Sequence, residues 1–250
     1  MQGYCSFVLA ILSVCLLSLN AGMLNIVLYN APSLQKCKKE DGQCLKELVQ
    51  GMINTVAVGD PKYGWDPLDP MYIQHIDSSS SSLQLNLQDV IVTGLRGCVA
   101  KKVRYSPERT SLFMKLMCSI EMNGQYEMKG RLLFLPIEGN GKNHVILRKA
   151  IFGVDSVLSK VNGADGKEHL KIVDWTHDYD LKDKAEVHFD NLFNGNEILG
   201  KAAQEVIENN SNEIVQEVGG PIVKTIVTNV VEAVQKIYDV IPLEDLIIDT

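Results

Sequence analysis

Residues 221–241 read PIVKTIVTNVVEAVQKIYDVI, and this stretch decides the fold. Plotted at 3.6 residues per turn, Ile222, Val223, Ile226, Val227, Val230, Val231, Ala233, Val234, Ile237, Tyr238, Val240 and Ile241 fill about half the circumference. Lys224, Thr225, Thr228, Asn229, Glu232, Gln235, Lys236 and Asp239 take the other half. A helix on a globular surface needs an apolar stripe only ~100° wide, so this one calls for a partner that curves around it. Ten of its residues are Ile or Val, which cost roughly 0.5 kcal/mol each as helix formers, about 5 kcal/mol together. Burying ten such side chains is worth on the order of 15–30 kcal/mol, an upper bound because unfolded chains are partly collapsed. Burial wins, and the helix forms because something wraps it.

Working outward, the preceding residues supply the wrapper. Leu83, Leu85 and Leu87 alternate with polar residues, followed by Val90 and Val92, the period of a half-buried strand. After Gly94, strand patterns recur around 97–105, 110–122, 125–136, 144–161, 168–176 and 179–191. Asn123-Gly124 reads as a tight turn, Gly139-Asn140-Gly141 as another, and Asn162-Gly163-Ala164-Asp165-Gly166 as a hairpin connection. Strands joined by short turns form an antiparallel meander. The 144–161 run is too long to stay flat, so strong curvature is expected there, with Gly153 as the bend.

Leu45, Leu48, Val49, Met52, Ile53 and Val56 recur at helical spacing, predicting a short N-terminal helix over 42–56 that Gly59-Asp60-Pro61 closes. Ile198, Leu199, Ala202, Ala203, Val206 and Ile207 predict a second helix, and Asn210 or Ser211 the cap of the long one, which Pro221 is expected to bend. The whole reads as α+β: a long C-terminal helix wrapped by a strongly curved antiparallel β-sheet, with a short N-terminal helix.

The chain has 250 residues and a formal net charge of −7. That balance, with no stripe of Lys and Arg, excludes nucleic acid as a partner and disfavours an anionic membrane. The apolar run from Phe7 to Leu19 precedes small residues at Ala21 and Gly22, predicting a signal peptide over 1–22 and a single secreted domain over 23–250. A signal anchor is the alternative, because the n-region has no Lys or Arg and residues 23–29 stay apolar.

Beyond the signal, four cysteines remain: Cys37, Cys44, Cys98 and Cys118. An even count in a secreted chain points to disulfides, with three connectivities open on paper. Cys37 and Cys44 are close enough to clip a small loop. Cys98 and Cys118 lie equally far from Glu108, so a hairpin centred there sets them opposite each other at bridging distance. Two buried free thiols are the plainer alternative.

Little else carries chemistry. The five histidines, at 75, 144, 169, 177 and 188, show no metal spacing, and no GxSxG or phosphate loop is present. No metal and no cofactor is expected. Asn209-Asn210-Ser211 is a glycosylation sequon at a predicted helix boundary. What stands out is surplus apolar lining. Met114, Leu116, Tyr126, Met128, Leu132, Phe134, Val145, Leu147, Phe152, Val173 and Trp175 are expected to face inward from the strands, with Ile226, Val230, Val234 and Ile237 opposite them on the helix. Taken singly, each reads as core. Collectively they exceed what a core needs, because a sheet rolled round a helix leaves gaps that methionines fill adaptably.

Over roughly 34–249 the chain resembles the insect takeout and juvenile-hormone-binding protein family. The motifs are Cys37-x6-Cys44, Pro67-Leu68-Asp69-Pro70, Gly124-x-Tyr126-x3-Gly130 running into Leu135-Pro136-Ile137-x-Gly139-x-Gly141, and Asn191-Leu192-Phe193-Asn194-Gly195. The resemblance implies a secreted haemolymph carrier without catalytic activity, an elongated apolar tunnel for an isoprenoid hormone or other lipid, Cys37–Cys44 as a shared bridge, and roles in circadian, feeding or hormone physiology. Cys98 and Cys118 match no cysteines of the family pattern. The expected partner is one small hydrophobic ligand held by a monomer, with Tyr126 and Tyr105 as polar contacts at the tunnel end and no stable membrane association. The rival is a secreted signalling protein whose cavity is structural and whose surface docks an unidentified receptor. A lipid esterase or isomerase needs a nucleophile–base pair, and the sequence offers none.

Overall fold

The computed structural model describes residues 36–61 and 64–248; the signal segment expected at 1–22 lies outside the described residues. In chain order the elements are β1 (Cys37–Lys38), α1 (Gly42–Val58), β2 (Met71–Asp77), β3 (Leu83–Thr93), β4 (Val99–Ser106), β5 (Ser111–Leu132), β6 (Leu135–Asn162), β7 (Glu168–Leu181), β8 (Glu186–Phe189), α2 (Glu197–Asn209), α3 (Ser211–Val240), α4 (Leu243–Leu246) and β9 (Ile247–Ile248). Strands β2 to β8 form one antiparallel sheet built on the β5–β6 hairpin, whose arms are 22 and 28 residues long. The outer edge of β5 is shared between β3 and β4, and that of β6 between β7 and β8. The sheet curves over α3, as the half-apolar helix requires.

Strands of this length curve by interrupting their own ladders, since a bulge adds one residue and extra twist. In β3 the register shifts between Gln88 and Ile91, with Asp89 at φ 50°. That shift explains why the buried series passes from Leu83, Leu85 and Leu87 to Val90 and Val92. In β6 the irregularity lies at Lys149, at φ 51°, rather than at Gly153. Gly153 serves another purpose, because a Cβ there would stand 2.7 Å from the Asp178 carboxylate lying across it.

The two turns expected at Asn123-Gly124 and Gly139-Asn140-Gly141 do not exist. Both segments run straight through β5 and β6, with Asn123 opposite His144 and Gly124 opposite Asn143. Cross-strand pairing on both edges of β5 outweighs a two-residue turn preference. The chain reverses at Leu133-Phe134 instead, where the Leu133 N–H donates to Glu217 Oε2 of α3 at 2.9 Å. No local turn residue announces that reversal; a helix 84 residues downstream helps to hold it.

The motif glycines make room for one hydrogen bond. The Tyr126 hydroxyl donates to the Asp190 carbonyl at 2.6 Å, and a Cβ on Gly139 would lie 2.7 Å from the Tyr126 hydroxyl oxygen. Burial and the nearby Asp190 carboxylate push the Tyr126 pKa up to about 12. Asp69 plays a comparable part in its Pro-Leu-Asp-Pro motif: its carboxylate accepts from the Gly94 and Arg96 N–H groups at 3.2 and 2.8 Å, fixing the turn into β4.

Both disulfides form. Cys37–Cys44 ties β1 to α1, and Cys98–Cys118 closes the β4–β5 hairpin at a Cα separation of 4.3 Å. The hairpin is centred on the 107–110 turn, as the equal spacing around Glu108 requires.

Helix α3 runs unbroken across Pro221 for 30 residues and is fastened to the sheet at both ends. Near its start, the Tyr179 hydroxyl donates to the Val215 carbonyl at 2.9 Å, and Ser78 Oγ donates to that of Val218. Asn210 does not cap it; its side chain donates back to Val206 at the end of α2. At the far end, His169 of β7 donates from Nδ1 to the Tyr238 carbonyl at 2.8 Å, while Nε2 faces Asp165 at 3.1 Å. That histidine lies on β7 and is only 3% exposed.

The Tyr238 carbonyl, and secondarily Asp165, raises the His169 pKa against the opposing effect of desolvation. A cation at a helix C-terminus is also favoured by the helix dipole. Because the folded value lies above the ordinary His value of about 6.5, this contribution is complete below that pH and fades as pH rises through the folded value. His169→Phe is therefore expected to lower the urea midpoint more at pH 6 than at pH 8.5. An equal loss at both would show that protonation contributes nothing.

Candidate functional site

Between α3, α1 and the concave face of the sheet lies a cavity of about 240 Å³. Its floor follows from the helical period: Ile222, Ile226, Val230, Val234 and Tyr238 recur every four residues and all line it. The lining on α3 runs from Ile214 to Tyr238, which at 1.5 Å per residue is about 36 Å of helix. The four aliphatic members of that stripe are half-buried, and Ile222, Ile226 and Val230 also pack against the core. Helix α1 contributes Val49, Met52, Ile53 and Val56, and the sheet contributes Leu85, Leu87, Met122, Val145, Leu147 and Phe152 among others.

Among the described residues, the walls carry no Asp, Glu, Lys, Arg or His. Their polar side chains are Asn143, Ser156 and Tyr238. Burial raises the Tyr238 pKa to about 12, so this phenol is neutral at physiological pH. Asn143 and Ser156 are each 3% exposed. Both amide atoms of Asn143 lack a hydrogen-bond partner. With Cys98 and Cys118 bridged, no described residue on the wall is poised for proton transfer or nucleophilic attack near neutral pH. The cavity's chemistry is that of an apolar solvent lined by protein. Among the described residues, no three of His, Cys, Asp and Glu are grouped to hold a metal.

The structure brings most of the expected lining together. Met114, Leu116, Val145, Leu147, Phe152, Ile226, Val230 and Val234 all border the cavity. The others divide by cause. Tyr126, Met128, Leu132 and Ile237 are buried at 1–3% exposure but packed in solid core. Trp175 packs half-buried against Val223 and Val227, in a cluster beside the cavity. Phe134 does not face inward: it caps the β5–β6 turn and is 68% exposed. Val173 does not either, being 54% exposed. The register between β6 and β7 slips from Asp174 to Ile172, so Val173 bulges outward and Ile172 takes the inner place. Tyr105 and Tyr126 are not among the lining residues. Asn209 is exposed at the end of α2, while Ser211 of its sequon is buried.

Two contributions escaped the sequence reading. The helical period of α1 was legible, but nothing local says that its apolar face meets a gap rather than a wall. Asn143 sits one alternation before Val145 and Leu147, and beginning the strand at 144 hid a polar residue on the apolar face.

Known proteins agree with this architecture. Residues 11–248 match the family model described as Haemolymph juvenile hormone binding protein (JHBP). The circadian clock-controlled protein daywake of Drosophila melanogaster is 27% identical over 191 residues, covering 70% of this chain and 71% of that protein. Its Drosophila yakuba counterpart is 25% identical over 202 residues, covering 74% and 75%. The crystal structure of Epiphyas postvittana Takeout 1 superposes with a TM-score of 0.82 at 24% identity, over 85% of this chain and 98% of that one. At that identity the likeness speaks for the fold.

Proposed function

From the premise that this chain belongs to the haemolymph juvenile hormone binding protein family, we propose that it is a secreted, non-catalytic carrier holding one elongated apolar molecule in its internal cavity. The observation that supports this is the lining itself: a wall of aliphatic, methionine and aromatic side chains with, among the described residues, three polar ones and no charge. A fifteen-carbon isoprenoid buried there gains on the order of 12 kcal/mol at ~0.8 per carbon. Association costs roughly 4–15 kcal/mol, so burial alone reaches micromolar affinity at best, and polar contacts must select among lipids. No helix among the described residues is long and apolar enough to cross a membrane, in keeping with a carrier that travels in extracellular fluid. The daywake relatives are named as circadian clock-controlled, and the corresponding expectation is that this carrier's abundance follows the daily cycle.

The test is native mass spectrometry of the protein purified from its expression host without detergent. The expected result is a population heavier than the chain by one lipid, released on denaturation and identifiable by solvent extraction. A uniformly bare chain that also fails to take up added isoprenoids or fatty-acid esters would favour the signalling protein with a structural cavity.

A further inference from the structure

The carboxamide of Asn143 on the cavity wall is almost fully buried, at 3% exposure, and neither of its polar atoms has a partner. Native folds leave few such groups, and a primary amide can donate twice and accept twice. Its cross-strand neighbours cannot answer it. On β5 it faces Gly124, which has no side chain, and on β8 it faces Phe189. A Cβ at Gly124 would stand 3.2 Å from Asn143 Oδ1, so the glycine leaves the space the amide occupies. Met122, Val145, Val187 and Phe189 complete this part of the wall. Ser156 lies thirteen residues further along β6, well away from the amide.

We propose that Asn143 is the specificity-determining residue of the cavity, and that the ligand it selects is an apolar chain bearing a neutral carbonyl, as a ketone or ester, at or near one end. The inference rests on the carrier reading and adds the chemistry of the cargo. The Nδ2–H donates to the ligand's carbonyl oxygen, supplying the acceptor that the protein withholds. A hydrocarbon leaves the amide unsatisfied. A carboxylate would enter a wall with no cation among the described residues to meet it, which is the more expensive mismatch.

The experiment measures displacement of bound N-phenyl-1-naphthylamine by two probes of matched length, pentadecane and pentadecan-2-one. It uses the delipidated full chain, Asn143→Leu and Asn143→Ala. Leucine matches the amide in size; alanine guards against a local clash that would spoil the first variant. The native chain is expected to hold the ketone about five- to tenfold more tightly than the alkane, the worth of one neutral hydrogen bond. In both variants the ratio should fall to about one, through loss of ketone affinity, with alkane affinity kept. Equal affinities in the native chain, or a ratio unchanged in both variants, would overturn the assignment and leave the carrier reading intact. Failure of the native chain to take up either probe or the dye would instead defeat the carrier reading on which this one rests.

Discussion

Val230→Trp is expected to abolish lipid loading while the protein stays folded. Val230 lies midway along the stripe that floors the cavity, and it is half-buried because part of its surface meets empty space. An indole at that position projects into a space of only about 240 Å³. Overpacking a filled core costs about 1–3 kcal/mol, and a side chain entering a hollow stands at the lower end of that range. The ligand, by contrast, loses the volume it needs. A loss of at least 100-fold in affinity is expected, equivalent to roughly 2.8 kcal/mol, with the far-ultraviolet circular dichroism unchanged. Glu232→Trp is the control, since Glu232 points to solvent on the opposite face of the same helix and its replacement should leave binding as it was. If Val230→Trp still carries lipid at native affinity, the cargo does not occupy this cavity.

The second large effect is on stability. Cys98 and Cys118 are separated by 20 residues, and closing a loop of that length restricts the unfolded chain by about 3 kcal/mol in the chain-entropy account. The double variant Cys98→Ala/Cys118→Ala should lose that amount, lowering Tm by about 6–12 °C for a domain of this size. Both cysteines also line the cavity, so the variant should bind lipid more weakly even well below its Tm. Removing Cys37–Cys44, whose separation is 7 residues, should cost less, roughly 2.5 kcal/mol. It should also spare the cavity, because neither of those cysteines borders it. Scanning calorimetry of the two double variants checks the order. A larger loss from the shorter loop would mean that native-state packing, rather than chain entropy, sets the contribution of these bridges.

The same chemistry explains why the cavity's walls were easier to foresee than its edges. Phe134 and Leu132 look alike in the sequence, both apolar and two residues apart, yet one is exposed at a turn and the other buried at 2%. The difference arises from the chain reversal at Leu133-Phe134, which Glu217 helps to hold by accepting from the Leu133 N–H. Val173 and Ile172 are likewise interchangeable by composition, and a single bulge against β6 decides which one faces the lipid side. Asn123-Gly124 carries the stronger local turn signal, but β3 and β6 pair with it from both sides and hold it extended.

What the chain determined by itself is whatever repeats along one dimension. The 3.6-residue period of α3, the alternation in the strands and the even spacing of Cys98 and Cys118 about Glu108 are properties of neighbours in sequence, and each reappears in the folded molecule. What only the tertiary structure decided is where apolar surfaces touch and where they stand apart. Tyr126 and Met128 meet close-packed neighbours, whereas Met114 and Val230 meet a hollow. That distinction depends on the distance between a curved sheet and a straight helix drawn from remote parts of the chain. No local periodicity encodes such a distance.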